Sequence, residues 1–187
     1  MTLDLGGCSD GELAALALAG RQTAYSELMR RHREPVYRLV RGHIGDADSA
    51  LDVTQQSFLA AFSALARYDG TRSFRVWIAS IAINKCRDWA RRRAVRRLFT
   101  FALPIESASD VADEAATPET LLADRQDLAR TMAAIAALPV ALKEPLILRT
   151  IEGLSQAETA LILGISEKAV ETRVHRARTK LIDALRD

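Results

Sequence analysis

Apolar residues along this chain recur at three- and four-residue spacing, and strand-like alternation persists nowhere. Ser9 followed by Glu12 is a capping box and Gly20 a stop, so the pattern predicts a helix over Asp10 to Ala19. A second helix fits Thr23 to His43, with Pro35 as a kink point and Gly45-Asp46 as the break. Leu51, Phe58, Leu59 and Phe62 place a third over Asp48 to Leu65. After the turn Tyr68-Asp69-Gly70-Thr71, Phe74, Trp77, Ile78, Ile81 and Ala82 give the stripe of a fourth helix, from about Arg72 to Arg93. Residues 98–118 lack a sustained period. Helical patterning resumes near Glu119 and runs to about Leu138, and after Pro139 a helix covers Leu142 to Glu152, with Pro145 tolerable only in its first turn. A second capping box, Ser155 to Glu158, then starts a short helix that ends at Gly164. Ser166 introduces a last one, with Val170, Val174, Ala177, Leu181 and Leu185 inward. The expectation is an all-α chain: two small helical domains, 1–97 and 119–187, joined by a flexible linker over 98–118, the C-terminal one a helix-turn-helix.

Composition sharpens this only slightly. Hydrophobic residues make up 49% and charged residues 27% of 187, and Gly and Pro are scarce, which suits packed helices. No apolar run reaches the roughly 18 residues of a membrane span, and no basic residue precedes an N-terminal apolar segment. The expectation is a cytoplasmic protein without membrane insertion. Cys8 and Cys86 make neither a disulfide framework nor a zinc ligand set, and both are read as inert. No metal or cofactor is expected.

The net charge of +2 hides a strong asymmetry. Between Arg72 and Arg97 the one acid is Asp88, amid Arg72, Arg75, Lys85, Arg87, Arg91, Arg92, Arg93, Arg96 and Arg97. From Glu106 to Asp127 the sign reverses, and from Arg173 to Lys180 it is basic again. Two basic segments flanking an acidic spacer suit two contacts with one long polyanion. A single run is also what a solvated helix face looks like.

Motif structure separates the two. Helix, Gly-containing turn and a second helix with a polar, basic outer face describe a DNA-reading helix-turn-helix. The major groove of B-DNA admits one α-helix, whose first turns reach base edges. Lys168 suits guanine acceptors, Glu171 the cytosine amino group and Thr172 a thymine methyl, while Arg173, Arg176 and Arg178 suit phosphates.

Three stretches together resemble the extracytoplasmic-function type of bacterial RNA polymerase sigma factors. Asp46-Ala47-Asp48 with Asp52-Val53-Thr54-Gln55-Gln56-Ser57-Phe58 is similar to that family's polymerase-docking helix. Phe74-Arg75-Val76-Trp77-Ile78, Ile81-Ala82-Ile83-Asn84 and Asp88-Trp89-Ala90-Arg91-Arg92-Arg93 resemble its promoter-melting helix. Leu138-Pro139, Leu148-Arg149, Glu152-Gly153-Leu154-Ser155 and Val174-His175-Arg176-Ala177-Arg178 resemble its upstream-element reader. The resemblance implies that Tyr68, Asp69, Gly70, Thr71, Arg72 and Ser73 form a pocket for an unpaired base. Asn84, Lys85, Arg87 and Arg91 would follow the same strand, and His175 would face bases of the upstream element. Asp48, Asp52, Gln55 and Gln56 would dock on polymerase, with Gln56 standing where the family commonly has a carboxylate. The implied partners are core RNA polymerase, promoter DNA and an anti-sigma factor.

Trp77 and Phe58 are assigned to the core, and His32 and His43 to the polar surface. A stand-alone helix-turn-helix regulator acting without polymerase stays open as the alternative. No HExxH, GxxxxGK[ST], GxSxG or paired-carboxylate and histidine constellation appears, so no enzyme is expected.

Overall fold

The computed structural model describes residues 5–100 and 119–186, and every regular element among them is helical. Helix α1 (Asp10–Leu18) begins at its capping box. The Ser9 Oγ accepts the Glu12 N–H at 3.2 Å and the Glu12 carboxylate accepts the Ser9 N–H at 2.7 Å. Helix α2 (Gln22–Ile44) runs on through Pro35 and stops at Gly45, whose φ of 86° ends it in the left-handed region. Helix α3 (Ala47–Ser63) starts on Asp46, which accepts the Ser49 N–H at 2.7 Å. Helix α4 (Phe74–Thr100) passes Arg93 and enters the expected linker. No Gly or Pro stands in its last turns to stop it, and Arg and Ala favour helix. The remainder of that linker, 101–118, lies outside the described residues.

Helices α2, α3 and α4 pack on one another with α1 against α2, and Leu28, Leu39, Phe58, Leu65, Phe74 and Ile78 belong to the core they share. The second unit comprises α5 (Glu119–Ala137), α6 (Val140–Leu146), α7 (Gln156–Leu163) and α8 (Glu167–Arg186). Helix α6 begins directly after Pro139, two residues before the expected start at Leu142, so Pro145 falls in its second turn where the sequence pattern predicts the first. A proline there removes an N–H and crowds the preceding carbonyl. The next turn, Ile147–Ile151, is π-helical, and the Glu152 N–H reaches back to the Ile147 carbonyl at 3.0 Å. Gly164, with φ 65°, turns the chain between α7 and α8, and Val170, Val174 and Ala177 anchor α8 from beneath.

The two units pack on each other, α2 against α5 and the π-helical turn, α4 against α7. Gly42 makes this close approach possible, since a Cβ there would lie 3.1 Å from the Ile151 Cδ1. Both histidines expected at the surface are buried. His32 sits with its Nε2 2.8 Å from an Asp10 oxygen, and His43 lies 3.4 Å from Glu144 in the junction between the units. Neither burial is visible in local sequence, because each depends on a helix contributed from elsewhere in the chain.

Candidate nucleic-acid interface

A loop and three helix faces carry the expected residues. The loop runs from Tyr68 to Ser73. Its Asp69 carboxylate accepts the Thr71 N–H at 3.0 Å and the Thr71 hydroxyl at 2.7 Å, and also approaches the Arg72 guanidinium at 3.3 Å. These bonds hold the Asp69 carboxyl below its ordinary range. The Tyr68 hydroxyl donates to the Arg72 carbonyl, and its ring meets Phe74 edge-on at 5.2 Å and Trp77 at 5.1 Å. Ser73 accepts the Val76 N–H at 3.4 Å, so the loop hands directly into α4. Asp69, Gly70, Thr71, Arg72 and Ser73 are exposed. Trp77, assigned to the core, is only half-buried. It lines an open crevice of about 610 Å³ with Tyr68, Arg72 and, from α7, Leu161 and Ile162.

Helical periodicity carries this surface along α4 through Ser80 and Asn84 toward Arg91. Asn84 and Arg91 are exposed and Lys85 is half-buried. Arg91 pairs with Asp88, and Arg93 stacks over the Trp89 ring at 5.0 Å. Arg87 is withheld from that face. It forks onto the buried Glu144 of α6, with its Nε 2.7 Å from one oxygen and a terminal nitrogen 2.5 Å from the other. Burial raises the Glu144 carboxyl, but the hydrogen bonds from Arg87 and His43 outweigh it and leave it below its usual range.

On α8, Lys168, Glu171, His175, Arg176 and Arg178 are exposed, and Thr172 and Arg173 are half-buried. Lys168 and Glu171 pair at 2.9 Å, an exposed contact that solvent and DNA can readily replace. The Thr172 hydroxyl donates to the Lys168 carbonyl at 2.9 Å, which turns its methyl away from that bond. Two residues given no contact role from sequence join this surface. Arg149 from the π-helical turn and Gln156 from the start of α7 line the same concavity of about 480 Å³ as Lys168, Thr172 and His175. Gln156 also donates to the Glu167 carbonyl at 2.9 Å, tying α7 to the start of α8. The signal for Arg149 was the Leu148-Arg149 pair that resembles the family's upstream-element reader; nothing local marked Gln156.

On α3, Asp48, Asp52, Gln55 and Gln56 are all exposed, beside the exposed Leu51 and Leu59. Asp52 and Gln55 line a shallow groove with Met29, Arg33, Glu34 and Tyr37 of α2, and Gln56 stands outside it.

The sequence models described as "Sigma-70 region 2" and "Sigma-70, region 4" match residues 28–96 and 128–181, covering most of α2 to α4 and of α5 to α8. The RNA polymerase sigma factor CnrH of Cupriavidus metallidurans is 39% identical over 177 residues, 92% of each chain. The ECF RNA polymerase sigma factor SigM of Mycobacterium tuberculosis is 32% identical over 173 residues, 92% of this chain and 83% of its own. The chain belongs to the extracytoplasmic-function sigma factors. The fold of this sigma factor is similar to that of CnrH solved in complex with the cytosolic domain of CnrY, with a TM-score of 0.69 and 33% identity over 94% of this chain and 96% of that one. It also shares its fold with the sigma factor RpoE of Bartonella quintana, solved with the anti-sigma factor NepR, at a TM-score of 0.68 and 19% identity over 87% of this chain and 96% of that one.

Proposed function

We propose that this sigma factor divides promoter recognition between its two units. Residues 1–97 capture the downstream element as an opened strand, and residues 119–187 read the upstream element as duplex. The observation that carries this reading is the pairing of an exposed, aromatic-backed loop and basic α4 on one unit with an exposed recognition helix on the other. An extruded base needs a pocket and a neutralised phosphate beside it, which Tyr68, Asp69, Gly70, Thr71, Arg72 and Ser73 supply, with Asn84, Lys85 and Arg91 following along α4. Arg87 joins them once it is released from Glu144. Lys168, Glu171, Thr172 and His175 meet base edges, and Arg173, Arg176 and Arg178 meet phosphates.

Asp48, Asp52, Gln55 and Gln56 dock the chain on core RNA polymerase, with Asp52 and Gln55 lining the groove between α2 and α3. The complex of the relative CnrH with CnrY supports a protein partner for this chain as well, which we read as an anti-sigma factor. The sigma factor acts by binding and not by catalysis, in the cytoplasm. Among the described residues no helix is long and apolar enough to cross a membrane.

The test is transcription in vitro by purified core polymerase with and without the chain, on promoters identified by start-site mapping. Start-site selection appears only with the chain. Asn84→Ala lowers open-complex formation more than initial binding; equal loss of both contradicts the assignment of α4.

A further inference from the structure

The first turn of α1 lies directly beneath the loop that we assign to base capture. Gly11 and Gly70 meet backbone to backbone: a Cβ built on Gly11 would stand 2.5 Å from the Gly70 carbonyl oxygen and 3.4 Å from its carbon. The neighbouring side chains fix α1 in place. Asp10 takes the His32 Nε2 at 2.8 Å and an Arg31 nitrogen at 3.1 Å, and Arg31 also donates to the carbonyls of Leu5, Gly6 and Cys8. Leu13, Ala14 and Ala17 are buried in the core. His32 in turn packs on Phe74 at 5.0 Å, and Phe74 on Tyr68. The loop is thus held from two sides, by the aromatic stack at Tyr68 and by the α1 backbone at Gly70.

We infer that Gly11 is a positioning residue for promoter opening. Its missing side chain lets Gly70 seat against α1, and that seat sets where Tyr68, Asp69 and Arg72 meet the unpaired base. The inference rests on the assignment of this loop to strand capture. With any side chain at position 11, α1 is anchored by Asp10 and its buried leucine and alanines, whereas residues 69–73 are exposed. The loop is therefore the part that yields. To bring the 2.5 Å approach to an ordinary contact near 3.4 Å, the Gly70 carbonyl must retreat by about 1 Å. Gly7, in the same N-terminal segment, has nothing within 4 Å of its would-be Cβ and provides the control.

The experiment compares wild type, Gly7→Ala, Gly11→Ala and Asp69→Ala as full chains bound to core polymerase on a mapped promoter. Permanganate reactivity of unpaired thymines reads strand opening, and binding to an upstream-element duplex and to polymerase is measured alongside. A displacement of about 1 Å in a positioned site costs roughly tenfold or more. Gly11→Ala is therefore expected to lower strand opening by that factor with both binding activities unchanged, while Gly7→Ala is silent. In a Trp89→Phe background, Trp77 fluorescence should shift for Gly11→Ala and not for Gly7→Ala, reporting the moved loop. Alanine in a first helical turn favours helix, so a role confined to folding α1 predicts unchanged or raised melting temperature and unchanged opening. That result overturns the inference, as does a loss of opening matched by equal loss of polymerase and duplex binding. If Asp69→Ala also leaves opening intact, the assignment of the loop itself fails, and the inference with it.

Discussion

A side chain on α8 contributes differently according to whether it meets a phosphate or a base edge. Arg176 is exposed and forms no ion pair among the described residues of α8, where Glu171 pairs with Lys168, so its charge is available to displace a counterion. Arg176→Ala should weaken binding to every duplex sequence alike and reduce the slope of log affinity against log salt by about 1, measured by titration across a salt series. An unchanged slope would remove Arg176 from the phosphate contacts. Thr172 behaves otherwise, because its hydroxyl is already spent on the Lys168 carbonyl. Thr172→Ala should leave the salt slope unchanged and relax preference at one position of the upstream element by about 1–3 kcal/mol. The residues of α8 were legible in sequence, since one helix places them by its own periodicity. Gln156 was not, and Arg149 was marked only by its stretch and not by its contact, because both reach the same concavity only after the π-helical turn and the α7–α8 contact have formed. Arg87 was legible as a cation on α4 but not as the partner of a carboxylate 57 residues away.

Helix boundaries are set by caps, and here the sequence was most informative. Ser9 and Ser155 form the two capping boxes expected of them, and Gly45 and Gly164 end their helices with positive φ. Ser155 accepts the Glu158 N–H at 3.1 Å, and the Glu158 carboxylate accepts the Ser155 N–H at 2.7 Å. The same bonds keep the Glu158 carboxyl below its ordinary range. Ser155→Ala removes one of these acceptors at the start of α7, at a cost of about 1 kcal/mol in chemical denaturation. Because Gln156 couples the start of α7 to Glu167, upstream-element affinity should fall as well. Intact affinity alongside lost stability would mean that α8 holds its place without this cap. What local signals could not place was the start of α6 and the end of α4. Proline is compatible both with a first turn and with an opened ladder, and tertiary packing of Ile147 and Leu148 chose the second. The end of α4 carries no stop residue at all.

The largest feature absent from the sequence reading is the junction between the two units, which is built from buried charge. Glu144 and Glu152 both lie in it, each 3% exposed, and their surroundings push them in opposite directions. For Glu152, burial outweighs Arg38 and Arg75, each 3.8 Å away, and its carboxyl is raised above the usual 4.5. For Glu144, the hydrogen bonds from Arg87 and His43 outweigh burial, and its carboxyl is lowered from the same value. A lowered folded-state value means stability that is present above pH 4.5 and disappears as pH falls through it. A raised value means a cost that is absent below pH 4.5 and grows as pH rises through it. Glu144→Gln should therefore destabilise the protein at pH 7 by about 1–2 kcal/mol, since a charge-assisted pair becomes a neutral hydrogen bond. Glu152→Gln should stabilise it at pH 7, because an incompletely compensated buried charge is removed. Both differences should close toward zero as the wild-type carboxyls protonate, the Glu152 difference at the higher pH. Denaturant titrations of the three proteins from pH 7 downward check this. Shifts of the same sign in both variants would mean that the arginines, and not the depth of the junction, decide how each carboxylate is held. The same substitution leaves Glu144 one acceptor in place of two and loosens its hold on Arg87, so Glu144→Gln should also tighten binding of a single-stranded downstream-element oligonucleotide to the α4 face we assign to the strand, measured on the isolated chain. Unchanged binding would place Arg87 outside that face even when it is released.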